Sequence, residues 1–142
     1  GLLSSQIPGL DEPALVMTPG LGPTLGDGLL TASEIAQMDL NADLVILSAC
    51  NTNLDDQMDA EGLSGLSTAF LYAGVRSLMV THWEVDSKIS AFITTTTIER
   101  YRNEPKDGLA KALTQAIDSA RARPEWDHPA LWAPFSVIGD RL

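Results

Sequence analysis

LVILSACNT, residues 44–52, is an apolar run that passes directly into polar residues. Leu44 to Ser48 is continuously apolar up to its last residue, partly β-branched and too short for a helix, so it predicts a central, buried β-strand. Cys50, the only cysteine of the chain, stands just past the strand and is followed by Asn51, Thr52 and Asn53. A lone cysteine is most often a small buried hydrophobe. A thiol at a strand-to-loop transition is instead placed where open α/β folds present reactive groups.

Downstream, residues 51–61 (NTNLDDQMDAE) are polar and acidic and read as a surface loop. Leu63, Leu66, Phe70 and Ala73 then recur at helical spacing, with Gly74 in the position of a C-terminal cap. Ser77 to Thr81 (SLMVT) predicts the next strand. Residues 87–103 contain four consecutive threonines, which favour a strand, yet Ile89, Phe92, Ile93, Thr96 and Ile98 to Tyr101 fit a helical face better. Gly108 to Arg123 is a clear amphipathic helix stopped by Pro124, and Phe135 to Gly139 a last short strand. Upstream, residues 1–12 read as loop. Ala14 to Thr18 and Leu29–Leu30 suggest a hairpin with an irregular Gly- and Pro-rich tip. Thr31-Ala32-Ser33-Glu34 is a capping-box pattern opening a short helix to about Met38. Strands alternating with helices predict an α/β fold with a mostly parallel sheet.

Composition narrows the classes. The 142 residues fit a single domain, residues 1–142, and an apolar share of 44% excludes disorder. No apolar run is long enough to cross a bilayer, and no basic-then-apolar leader opens the chain. A single cysteine makes no internal disulfide, which fits a reducing compartment such as the cytoplasm. A formal charge of −10 disfavours direct binding to nucleic acid or an anionic membrane. No glycine-rich phosphate loop links a strand to a helix, so no nucleotide cofactor is expected. The acidic residues Asp55, Asp56, Asp59 and Glu61 read as a solvated loop, not a metal site.

Three blocks taken together, LVILSACNT, EGLSGLSTAFLYAGVRSLMVTHWEVD and HPALWAPFSVIGD, resemble the CHAT domain. This caspase-like family of clan CD is found in bacterial proteins, often beside tetratricopeptide repeats. The blocks occur in the family's order and span nearly the whole chain. The resemblance implies a three-layer caspase-like α/β sandwich whose N-terminal strands precede this sequence. It also implies the cysteine endopeptidase chemistry of the caspases, separases and gingipains, with no cofactor or metal.

By that resemblance Cys50 matches the family's nucleophile. A free thiol is only a few per cent thiolate near neutral pH, so a base must assist it. The family's base is a histidine in a Thr-His-Gly motif, and Gly1 aligns with that glycine. The base would then be the residue immediately before Gly1. Gly1 would supply an oxyanion-binding amide together with Cys50, a donor whose loss costs roughly 3 kcal/mol. His82 follows the strand SLMVT at the edge shared by strand C-termini, but its position varies in the family; His128, opening HPALW, reads as a packing residue. Trp83 and Asp86 resemble the segment bordering the specificity pocket, where an acid would favour a basic residue before the scissile bond. Asp86 is also well placed to cap a helix starting near Ser87. Trp126, Trp132 and Phe135 read as core.

Two functional readings remain. In one, the parent protein is a cysteine endopeptidase acting on a protein or peptide substrate, and this chain alone, lacking its base, is inactive. In the other, the domain is a catalytically silent binding or scaffolding module beside helical repeats. In either, the absent strands would leave an open sheet edge and invite self-association.

Overall fold

In the computed structural model the described residues are 2–3, 10–18, 27–48 and 56–139. The chain divides into two compact units, Gly1–Asp43 with Ala49–Val75 and Leu44–Ser48 with Arg76–Leu142.

The first unit holds a small antiparallel sheet: β1 (Leu2–Leu3), β2 (Ala14–Val16) and β3 (Leu29–Thr31), in that spatial order. The expected hairpin is β2–β3, with Ala14 opposite Thr31 and Val16 opposite Leu29; its tip lies outside the described residues. The expectation of loop over residues 1–12 is corrected at Leu2 and Leu3, which pair with Leu15 and Ala14. β2 had a free edge there, and even a dipeptide satisfies backbone groups by adding to it.

Thr31 ends β3 and caps α1 (Ala32–Ala36) with the reciprocal pair read from the sequence. The Glu34 amide donates to Thr31 Oγ1 at 3.2 Å, and the Thr31 amide donates to Glu34 Oε2 at 2.8 Å. Glu12 reaches the same helix start, accepting from the Ser33 amide at 2.7 Å. α2 (Asp56–Tyr72) packs against α1 and buries Leu63, Leu66, Phe70 and the following Ala73, the stripe expected from spacing. It begins earlier than expected, turning Asp56–Glu61 from loop into helix. Acidic residues suit a helix start, because they face the positive end of its dipole. Polarity alone did not distinguish a loop from a helical first turn.

α2 stops in a Schellman motif. The Gly74 amide donates to Leu71 O at 3.2 Å and the Val75 amide to Phe70 O at 3.1 Å, with Gly74 at φ 98°. Leu40 lies against this cap, its amide donating to Ala73 O at 2.7 Å.

The second unit is built on β4 (Leu44–Leu47), β5 (Ser77–Thr81) and β6 (Phe135–Ile138), in that order. β4 and β5 are parallel, Leu47 opposite Val80, and β5 and β6 antiparallel, Thr81 opposite Phe135. The chain is thus an α/β protein, but the described pairings include one parallel pair where a mostly parallel sheet was expected. A strand–helix–strand path returns parallel, whereas two helices between β5 and β6 add a reversal. The expectation of a central, buried strand at Leu44–Ser48 is also corrected. Among the described strands β4 is at the edge, with Ile46 37% exposed, and β5 is the central strand, buried at every position.

α3 (Ser87–Asn103) is a helix throughout despite its threonines. Thr97 is fully buried, and its hydroxyl donates to Ile93 O at 2.7 Å, so the helix itself satisfies it. α4 (Gly108–Arg121) presents Ala112, Ala116 and Ala120, all buried, and these small side chains let it lie close to α3. Met79 of β5 and Phe135 of β6 meet Ile89, Ile93, Leu113, Ala116 and Ala120 in one core cluster. Each fully buried isoleucine there contributes about 1.5–3 kcal/mol of transfer free energy. Arg100 ties the pair of helices, donating to Gln115 Oε1 and Ser119 Oγ, both at 3.2 Å.

Candidate active site

Cys50 and Gly1, the expected nucleophile and oxyanion donor, lie outside the described residues. What is described is the frame around them in sequence. The parallel register of β4 and β5 brings the C-terminal ends of these two strands to one sheet edge. The chain leaves β4 there toward Cys50 and leaves β5 there into His82–Asp86. Exits from parallel strand C-termini are where α/β sheets gather reactive groups.

The His82–Asp86 segment is held by hydrogen bonds to the segment around β6. The His82 amide donates to Pro134 O at 3.1 Å, and His82 Nε2 lies 2.8 Å from Ser136 Oγ. Trp83 is 46% exposed, yet its only donor, Nε1–H, is spent on Ala130 O at 2.9 Å. An exposed aromatic face held in this way has lost little further freedom to lose on meeting a ligand. Val85 is half-buried against the core cluster and anchors the segment on its other side.

Asp86 is the N-cap of α3: its Oδ1 accepts from the Lys88 amide at 2.9 Å, and its carbonyl from the Ser90 amide at 3.0 Å. The capping role read from the sequence is therefore present. The side chain is exposed, and Oδ2 has no hydrogen-bond partner among the described residues.

Phe135 is buried, while Trp126 and Trp132 are half-buried against the core cluster. His128 is satisfied, but it is exposed where a packed residue was expected. It caps the 3₁₀ turn Pro129–Leu131, with Nδ1 accepting from the Ala130 amide at 3.2 Å. A proline after it leaves the turn's first amide absent, so the capping acceptor serves the second.

Three features escaped the sequence reading. Arg123 stacks on Phe92 (4.2 Å to the ring centre) and on Trp126 (4.6 Å), and Arg121 stacks on Trp132 at 4.8 Å. The Ser136–His82 contact joins residues whose pairing appears only once β5 and β6 are in register. Arg121 and Arg123 at the end of an amphipathic helix gave no hint of which rings they cover. Among the described residues no group of three or more His, Cys, Asp or Glu side chains is placed to share a metal ion. No described helix is long and apolar enough to cross a membrane.

An α/β domain in which a pinned aromatic and an exposed helix-capping acid follow the C-terminal end of a parallel strand is the general class. Within it, the sequence pattern of the CHAT domain matches residues 4–140, and the chain belongs to that family. It is 30% identical over 119 residues to Tetratricopeptide repeat protein 28 of Mus musculus and 29% identical over 119 residues to that of Homo sapiens. Each alignment takes in 82% of this chain and 5% of the relative, so the chain spans about a twentieth of the curated relatives it matches. These relatives are mammalian, so the resemblance is not confined to bacterial proteins. No solved structure matches the chain.

Proposed function

We propose that the protein to which this chain belongs is a cysteine endopeptidase, with Cys50 as the attacking thiol. The observation that carries the reading is the CHAT-family match across residues 4–140, which takes in LSACNT, the sequence that begins with the last residue of β4. In this reading a histidine preceding Gly1 removes the thiol proton. The thiolate adds to the peptide carbonyl, the amides of Gly1 and Cys50 receive the oxyanion, and the protonated histidine returns its proton to the leaving amine. Water then cleaves the thioester. Trp83 and Asp86 receive the side chain before the scissile bond: the ring supplies a face for a cation and the carboxylate its counter-charge, so lysine or arginine is preferred. The reaction belongs to a reducing compartment such as the cytoplasm, where a lone thiol stays free.

A second reading, a catalytically silent module beside tetratricopeptide repeats, draws on a specific observation. Both histidines of this chain are engaged in structural hydrogen bonds, His82 with Ser136 and His128 with Ala130. The relatives' names report tetratricopeptide repeats.

The test is alkylation of the full-length protein with peptidyl arginine and lysine chloromethyl ketones, mapped by mass spectrometry. The peptidase reading expects an adduct at Cys50, slowed when the basic residue is replaced by norleucine. Modification of Cys50 no faster than by a simple chloroacetamide would instead establish the silent module.

A further inference from the structure

The block HPALW reads as structural in the sequence, but its hydrogen bonds give it a direct connection to the candidate pocket. Ala130 is bonded at both of its backbone groups. Its amide donates to His128 Nδ1 at 3.2 Å, and its carbonyl accepts from Trp83 Nε1 at 2.9 Å. The rest of the segment is fixed on its own terms. The Leu131 amide donates to His128 O at 3.0 Å, the Ala133 amide to Pro129 O at 2.8 Å, and Trp132 Nε1 to Asp127 O at 3.3 Å. Leu131 and Trp132 pack against the core cluster, and Arg121 covers Trp132. The turn is thus anchored at its far side, and Ala130 is the residue it presents to Trp83.

We infer that His128 is a positioning residue for Trp83: its Nδ1 holds the Pro129–Ala130 peptide and its carbonyl holds the Ala130–Leu131 peptide, so that Ala130 is fixed from both sides and its carbonyl keeps the exposed indole in one pose for substrate. A histidine does this only in the neutral form with its proton on Nε2, which leaves Nδ1 as an acceptor. Proline at 129 leaves the Ala130 amide as the first donor of the turn, and the His128 side chain satisfies it. Trp83 is exposed, and the bond from its indole to Ala130 restrains a ring that would otherwise rotate freely. The role in binding rests on Trp83 lining the pocket as proposed above; the positioning itself does not.

The test uses the 142-residue chain labelled with ¹⁵N-tryptophan, whose three indole signals are assigned with Trp83→Phe, Trp126→Phe and Trp132→Phe. His128→Ala is expected to speed hydrogen exchange at the Trp83 indole roughly fivefold, the factor that one net hydrogen bond is worth. His128→Asn, which keeps an acceptor in the capping position, is expected to restore it. The Trp132 indole serves as the internal reference and should not change. Unchanged Trp83 exchange in His128→Ala, failure of Asn to restore it, or an equal change at Trp132 would each overturn the inference. In the full-length protein, His128→Ala should raise the half-saturating concentration of the arginine chloromethyl ketone severalfold and leave the limiting rate of Cys50 alkylation alone. Absence of alkylation altogether defeats the peptidase reading, while the indole exchange still decides the positioning role.

Discussion

Gly74→Ala is the substitution whose cost can be built most fully from the structure. Gly74 adopts φ 98°, and a Cβ built on it would stand 2.9 Å from Leu40 O, a backbone atom with no rotamer to swing aside. An L-residue in the left-handed region costs about 1–2 kcal/mol. Relieving the clash requires Leu40 to retreat, which stretches the 2.7 Å bond from its amide to Ala73 O and removes about 1 kcal/mol more. The sum is about 2–3 kcal/mol, on the order of 10 °C in the melting temperature for a chain of this length. Thermal unfolding by circular dichroism measures it. Gly65→Ala is the matched control: its Cβ would meet the Pro13 ring at 3.0 Å, a side-chain atom that can yield by a change of pucker. There the helical preference of alanine, about 0.5–1 kcal/mol, offsets much of the pressure. A melting temperature for Gly74→Ala within about 2 °C of the parent, or a greater loss for Gly65→Ala, would refute the reasoning.

Three other outcomes are expected. The Glu12 carboxyl lies below the ordinary glutamate range, chiefly through the Ser33 hydroxyl; burial opposes this, and the Ser33 amide and Thr31 hydroxyl lower it further. A depressed carboxyl contributes stability that is present above its unfolded-state value and lost as pH falls through its folded-state value; Glu12→Gln should therefore destabilise at neutral pH and lose that deficit in acid titration followed by urea unfolding. β4 is paired on one side among the described strands, so the chain is expected to self-associate, and Ile46→Lys to shift it toward monomer in sedimentation velocity; a monomeric parent at every concentration would refute this. Asp86→Asn retains a good N-cap and should change stability by only a few tenths of a kcal/mol, against about 1 kcal/mol for Asp86→Ala. If Asp86 also receives a basic side chain, both variants slow alkylation by the arginine probe equally, and an Asn variant that labels at the parent rate would leave capping as its only role.

The fold was legible where one physical signal dominated. Thr31 and Glu34 satisfy each other's amides whatever surrounds them, so the start of α1 followed from four residues. The Leu63, Leu66, Phe70 and Ala73 stripe and Gly74 likewise predicted both the buried face and the stop of α2. Failures fell where the outcome depended on partners. Leu44–Leu47 is as apolar as a central strand, and composition reports how much surface a strand wants buried, not how many neighbours it finds. The direction of β6 depends on the count of helices before it. The two residues of β1 are a strand only because β2 has an edge to offer.

The candidate site follows the same division, with a consequence for how it is read. Residue types disclosed chemistry: a thiol past a strand, an acid and an indole after the next strand. Position also disclosed that the acid spends one oxygen capping α3, on the Lys88 amide, but not that the indole spends its only donor on Ala130. Those two bonds do opposite things to the energetics of binding. Each removes an interaction otherwise open to a ligand, and each removes conformational freedom that a ligand would otherwise have to quench, about 0.5–1.5 kcal/mol for a rotamer-rich group. What stays available is the face of Trp83 and Oδ2 of Asp86, a surface and a charge without further donors. That remainder suits a cationic side chain with an aliphatic stem better than a neutral polar one, because the ring covers the stem and attracts the charge while the carboxylate oxygen accepts from it. A structural role for Asp86 and Trp83 is therefore no alternative to the proposed recognition: the same bonds that stabilise the fold would hold two exposed side chains rigid for a ligand.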